Sequence, residues 1–143
     1  MTATPPTSPV WVWLTGARLR TLPLAFGPVL LGSASAWTAG FFDPLRASFA
    51  LLVAVFLQIG VNYANDYSDG IRGTDDYRVG PPRLTGSGLV EPGLVKRAAF
   101  LFFAVAVAAG GALILLAGDW WMVVVGVLAV WAAWSYTGGT RPY

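Results

Sequence analysis

The chain is a succession of long apolar runs separated by polar connections of very unequal length. Apolar residues extend from Leu22 to Phe42, Ala47 to Asn65, Ala98 to Gly118 and Trp120 to Tyr136, and none of these runs holds a charged side chain. An α-helix rising about 1.5 Å per residue needs about 20 residues to cross about 30 Å of hydrocarbon, so each run matches one span. The pattern predicts an all-α, polytopic transmembrane helical bundle with four transmembrane helices in this sequence. The first run carries Pro23 and Pro28, which a membrane helix accommodates when neighbouring groups satisfy the freed carbonyls. Ahead of it, residues 1–9 read as a mobile tail and Trp11, Val12, Trp13 and Leu14 as a short interfacial element. No cleavable signal peptide is evident, so the N-terminus is expected to be retained.

Composition sharpens this picture. Of 143 residues, 56% are apolar and 11% charged, where a water-soluble domain carries about a quarter charged. Cys and His are both absent, which removes disulfides, thiolate nucleophiles, imidazole bases and the usual zinc sites. Any ionic chemistry falls to Asp, Glu, Arg, Lys, Tyr and amide groups. The formal net charge of +2 does not form a polybasic patch, because acids and bases are mixed between Asp66 and Arg97. Arg18, Arg20, Arg72, Arg78, Arg83, Lys96, Arg97 and Arg141 fall at one end of the predicted spans and Arg46 alone at the other. The positive-inside rule then places the N-terminus and the 66–97 loop in the cytoplasm of a multi-pass cell-membrane protein. Trp37, Phe41, Phe42, Trp120 and Trp121 fall at the outer ends, as an aromatic belt requires.

The second run ends in Asn62-Tyr63-Ala64-Asn65-Asp66-Tyr67-Ser68-Asp69-Gly70. Residues 62, 65, 66 and 69 are three and four apart, so a continuing helix would project two amides and two carboxylates from one face, with Gly70 suited to end it in a left-handed conformation. Acidic groups at a helix C-terminus repel one another and oppose the helix dipole, so a compensating cation is expected. Mg²⁺ suits such a set, since it takes one or two carboxylates and completes its shell with waters and phosphate oxygens. Asp75 and Asp76 stand close enough in sequence to add ligands. Arg72, Arg78 and Arg83, with the Gly-rich stretch 80–88, supply guanidinium forks and backbone N–H groups suited to a phosphate. The same residues also fit a solvated helix end with Asn62 and Asn65 bonding between spans. Taken together they describe a magnesium-diphosphate site at a membrane surface.

Asn65-Asp66-Tyr67-Ser68-Asp69, with Asn62 one turn earlier, resembles the first aspartate-rich motif of the UbiA-type intramembrane prenyltransferases. Arg-Leu-Arg-Thr-Leu-Pro-Leu-Ala at 18–25, Gln-Ile-Gly-Val at 58–61, Gly-Pro-Pro-Arg-Leu-Thr-Gly-Ser-Gly-Leu at 80–89 and Tyr-Thr-Gly-Gly at 136–139 follow the family's order over nearly the whole chain. The likeness is greatest to the branch that prenylates 1,4-dihydroxy-2-naphthoate. Two departures stand out. The broader superfamily often carries an Asp where this chain has Gly73, which passes that role to Asp75 or Asp76. The family also has about nine spans and a second acidic motif, so this sequence resembles an N-terminal half, expected to be inactive alone and to need the missing C-terminal half as its partner.

The resemblance implies that Mg²⁺ bridges the carboxylates and a polyprenyl diphosphate, and that the prenyl group passes to the naphthoate ring with loss of CO₂. Asp66 and Asp69 would act in catalysis. Asn62, Asn65, Arg72, Arg78 and Arg83 would bind substrate, and Asn62, Asp66, Asp69 and Asp75 would hold the metal. Tyr63, Tyr67 and Arg20 are further candidates at the same mouth. Competing readings are a prenyltransferase with another acceptor, such as 4-hydroxybenzoate, a chlorophyllide or haem, and a non-catalytic cation-binding membrane protein.

Overall fold

A computed structural model describes residues 8–73 and 82–138. Five α-helices follow in order, α1 (Pro9–Ala17), α2 (Pro23–Thr38), α3 (Pro44–Arg72), α4 (Pro92–Ala117) and α5 (Met122–Thr137), with a 3₁₀ turn at Leu19–Thr21 between the first two. The first four helices open with proline. At that position the missing N–H costs nothing and the fixed φ is already helical. Asp43 caps α3, accepting from the N–H groups of Leu45 at 2.9 Å and Arg46 at 3.1 Å. Glycines with positive φ end α3 at Gly73 and α4 at Gly118, where side chains would be strained.

The boundaries differ from the hydropathy pattern in informative ways. Pro9 begins α1, so of the expected tail only residues 1–7 fall outside the described part of the chain. Gly70 lies inside α3, and the helix continues to Arg72. Hydropathy follows the membrane, whereas the helix follows its hydrogen bonds and runs on past the apolar segment. The apolar runs 22–42 and 120–136 are occupied by helices of 16 residues each.

α3 and α4 form the central antiparallel pair. Gly60 makes their approach close, since a Cβ there would stand 2.6 Å from the Phe103 ring. The buried core gathers Ile59, Tyr63 and Ala64 of α3 with Val95, Ala99 and Phe103 of α4, and is sealed by Ala17 and Leu84. Everything else is thinly covered. α3 and α4 are long and apolar enough to cross a membrane, yet only 11% and 22% of their most apolar windows are buried, and α5 is apolar but shorter. Leu101, Leu115, Val127 and Trp131 stand more than 60% exposed. Water-soluble proteins do not present apolar surface on this scale; it is the surface of a membrane protein.

Candidate active site

The polar stripe on α3 divides. Consecutive helical residues are about 100° apart, so Asn65 and Asp66 lie on opposite edges of the stripe and meet different neighbours. Asn65 and Asp69, with Asn62, line a cavity of about 300 Å³ whose other walls are Arg18, Val61, Arg83, Tyr136 and Thr137. Asn65 Oδ1 accepts from Arg18 Nη2 at 2.5 Å and from Arg83 Nη1 at 3.3 Å. The other Arg83 nitrogen stands 3.7 Å from Asp69 Oδ2. Two guanidinium groups therefore converge on one uncharged oxygen beside a carboxylate.

Each wall is fixed by local structure. Arg18 caps α1 at φ 50°, ψ 58°, the one non-glycine with positive φ among the described residues. That turn swings its side chain under α3. Asn62 donates from Nδ2 to Ala17 O at 2.8 Å and Thr21 Oγ1 at 2.9 Å, and Tyr63 Oη donates to Trp13 O at 2.8 Å. These bonds hold the N-terminal segment against α3. Thr137 is 3% exposed, and its hydroxyl is one of two buried side-chain polar atoms without a hydrogen-bond partner among the described residues. It lies in the cavity wall, where a bound group would satisfy it.

Asp66 stands elsewhere. It is 1% exposed; Oδ1 accepts from Thr85 N at 2.9 Å and Oδ2 from Leu84 N at 3.1 Å. Of the four polar residues expected on one face, Asn62, Asn65 and Asp69 line the cavity, while Asp66 meets the Leu84–Thr85 backbone beside it. Arg72 donates to Ser68 Oγ and, at 3.2 Å, to Thr137 O, which ties the end of α3 to the end of α5 without bringing Arg72 into the cavity lining. Tyr67 stacks on Trp134 with ring centroids 6.4 Å apart and Lys96 Nζ over both rings. Arg20 is exposed, and Arg18 occupies the place proposed for it. Asp75, Asp76, Arg78 and Arg141 lie outside the described residues.

Among the described residues no three acidic side chains gather into a ready-made cation cage. The oxygen-bearing side chains among the residues lining the cavity are those of Asp69, Asn62, Asn65, Tyr136 and Thr137, without imidazole or thiol. This hard donor set fits a cation that shares its shell with phosphate and water. The sequence uses Arg18 for orientation and as the start of the 18–25 string, and Thr137 as part of the 136–139 string, but assigns neither to the site. Arg18 becomes a site residue through a backbone conformation that no pattern of residue types announces.

Three relatives frame this geometry. The chain is 53% identical over 132 residues to a Mycobacterium tuberculosis protein named 1,4-dihydroxy-2-naphthoate octaprenyltransferase. It is 51% identical over 131 residues to the Mycobacterium leprae protein of that name and 41% identical over 141 residues to the Escherichia coli one. The matches take in 92% of this chain but 44% of each relative, so the chain spans less than half their length. No solved structure matches it. Residues 25–143 match the UbiA prenyltransferase family from end to end of that range, and the chain belongs to that family.

Proposed function

We propose that this chain forms one wall of an intramembrane prenyltransferase site that moves a polyprenyl group from its diphosphate to 1,4-dihydroxy-2-naphthoate, with loss of CO₂. The remaining wall would come from the part of the relatives' length beyond this chain. One observation carries the reading: two arginines meet at a neutral amide oxygen inside a polar cavity. Like charges held this close favour a multivalent anion between them, and guanidinium forks match phosphate oxygens. The names of the relatives supply the donor and acceptor classes.

Arg18 and Arg83 would bind the diphosphate, with Asn65 holding both guanidinium groups in register. Asp69 and the diphosphate oxygens would hold Mg²⁺, with Asp75 a further ligand. When bound, the ion supplies Lewis-acid neutralisation of the departing diphosphate. The allylic C–O bond breaks with its electron pair leaving on diphosphate oxygen, where the two arginines oppose the growing charge. The allylic carbon then bonds to the ring carbon bearing the carboxylate, and the C–CO₂ bond returns its pair to the ring. No histidine or cysteine is required. The positive-inside count supports a mouth on the cytoplasmic side of the cell membrane, and the prenyl tail would lie in the lipid.

The test is prenyl transfer in membranes holding the full-length protein, with labelled polyprenyl diphosphate and a panel of naphthoate and hydroxybenzoate acceptors. Turnover with naphthoate that requires Mg²⁺ and falls at least about 100-fold in Asp69→Ala supports the reading, the loss expected when a group opposing transition-state charge is removed. Transfer to hydroxybenzoate alone would reassign the acceptor. Undiminished turnover by Asp69→Ala would overturn the site.

A further inference from the structure

We propose that Asp66 is a positioning residue for Arg83: its buried carboxylate pins the Leu84–Thr85 turn onto α3 and thereby sets where the Arg83 guanidinium stands beside Asn65 and Asp69. The inference rests on the diphosphate-binding reading of Arg83 given above, and it assigns to Asp66 a task different from metal ligation.

Both carboxylate oxygens of Asp66 are engaged by consecutive backbone N–H groups, those of Leu84 and Thr85. A carboxylate held by two amides is anchored in direction as well as place. Burial to 1% exposure leaves no room for a hydrated cation around it. The turn it grips is stiff in itself. Ser87 N donates to Arg83 O at 3.2 Å, Gly88 N to Thr85 O at 3.0 Å and Val90 N to Leu84 O at 2.9 Å. Leu84 is fully buried, seated where a Cβ on Gly16 would come within 2.8 Å of it.

Gly70, one turn beyond Asp66, completes the dock. A Cβ at this position would lie 2.3 Å from Thr85 Cγ2 and 2.9 Å from Gly86 N, so the turn rests directly on the helix backbone. Arg83 immediately precedes the pinned pair. Its side chain leaves a fixed backbone and reaches the two α3 residues on the far edge of the stripe. The helix thus uses adjacent residues for two jobs, with Asp66 holding the loop and Asn65 receiving the arginine that the loop delivers.

The experiment compares Asp66→Asn, Arg83→Ala, the double variant and Gly70→Ala in the full-length protein, reading three quantities. Asn places an NH₂ group where an oxygen accepts, so Asp66→Asn should speed hydrogen exchange at the Leu84 and Thr85 amides at least tenfold. It should also raise the rate of phenylglyoxal modification at Arg83, mapped by mass spectrometry. The KM for prenyl diphosphate should rise about tenfold with the Mg²⁺ half-saturation unchanged, and adding Arg83→Ala should cause no further rise. Gly70→Ala displaces the same turn while sparing the carboxylate and should reproduce these effects, which keeps the test open if Asp66→Asn does not fold. Unchanged amide exchange with a shifted Mg²⁺ half-saturation would make Asp66 a metal ligand and overturn the proposal, as would additive losses in the double variant. If wild-type protein shows no prenyl transfer and no diphosphate binding, the functional reading fails, and the exchange and modification rates still decide whether Asp66 positions Arg83.

Discussion

Arg18 shows how a single residue can be costly and retained. A non-glycine in the left-handed region costs roughly 1–2 kcal/mol, and such strain collects where function holds it in place. Here it ends α1 and carries a guanidinium to Asn65. Backbone relief and loss of the guanidinium can be separated by substitution. Arg18→Gly should unfold at a higher temperature than Arg18→Ala, by about 1 kcal/mol in stability. Both should weaken pyrophosphate binding about tenfold or more, the scale of one charged hydrogen bond. Thermal unfolding in detergent and titration calorimetry measure the two effects. Equal stability of the variants would show that the turn is unstrained, and undiminished binding would remove Arg18 from the anion site.

At the level of elements, the helical character of the chain was legible because apolar runs free of charge leave the backbone no other way to satisfy itself in lipid. The division of the acidic stripe was not, because a spacing of three and four places residues within one broad arc without saying which neighbour each edge meets. The helix itself sets Asn65 and Asp66 about 100° apart, and the packing of the 82–90 turn, a tertiary event, decides that Asp66 meets Leu84 and Thr85. Gly70 misled for the same reason: it is a glycine because Thr85 lies against it, while Gly73 takes the left-handed end. The α3–α4 contact makes a similar demand at Gly60. Gly60→Ala should destabilise by about 1–3 kcal/mol, as overpacking does, through collision with Phe103. Adding Phe103→Leu should recover part of that loss. Thermal melts of the two variants in the same detergent check it, and a neutral Gly60→Ala would show that the helices can slide apart.

Across the whole molecule, apolar surface decides the environment and the few charges decide the direction. Because these 143 residues hold no cysteine, a thiol introduced among them is the only one in this part of the protein, and labelling is read against the unsubstituted full-length protein. Glu91→Cys, ahead of α4, should react with a membrane-impermeant maleimide only after the cytoplasmic face is opened, whereas Asp119→Cys, in the α4–α5 connection, should react from outside intact cells. The reverse pattern would invert the topology. The length of α3 has a further consequence. Its 29 residues make a rigid pole about 43 Å long, some 13 Å more than a typical hydrocarbon core, and the arginine-lined mouth lies towards its C-terminal end. Thickening the bilayer with longer acyl chains would swallow part of that surplus or upright the pole. Lipid chain length thus becomes a dial on how far the mouth stands from the phospholipid headgroups whose own phosphates compete for it.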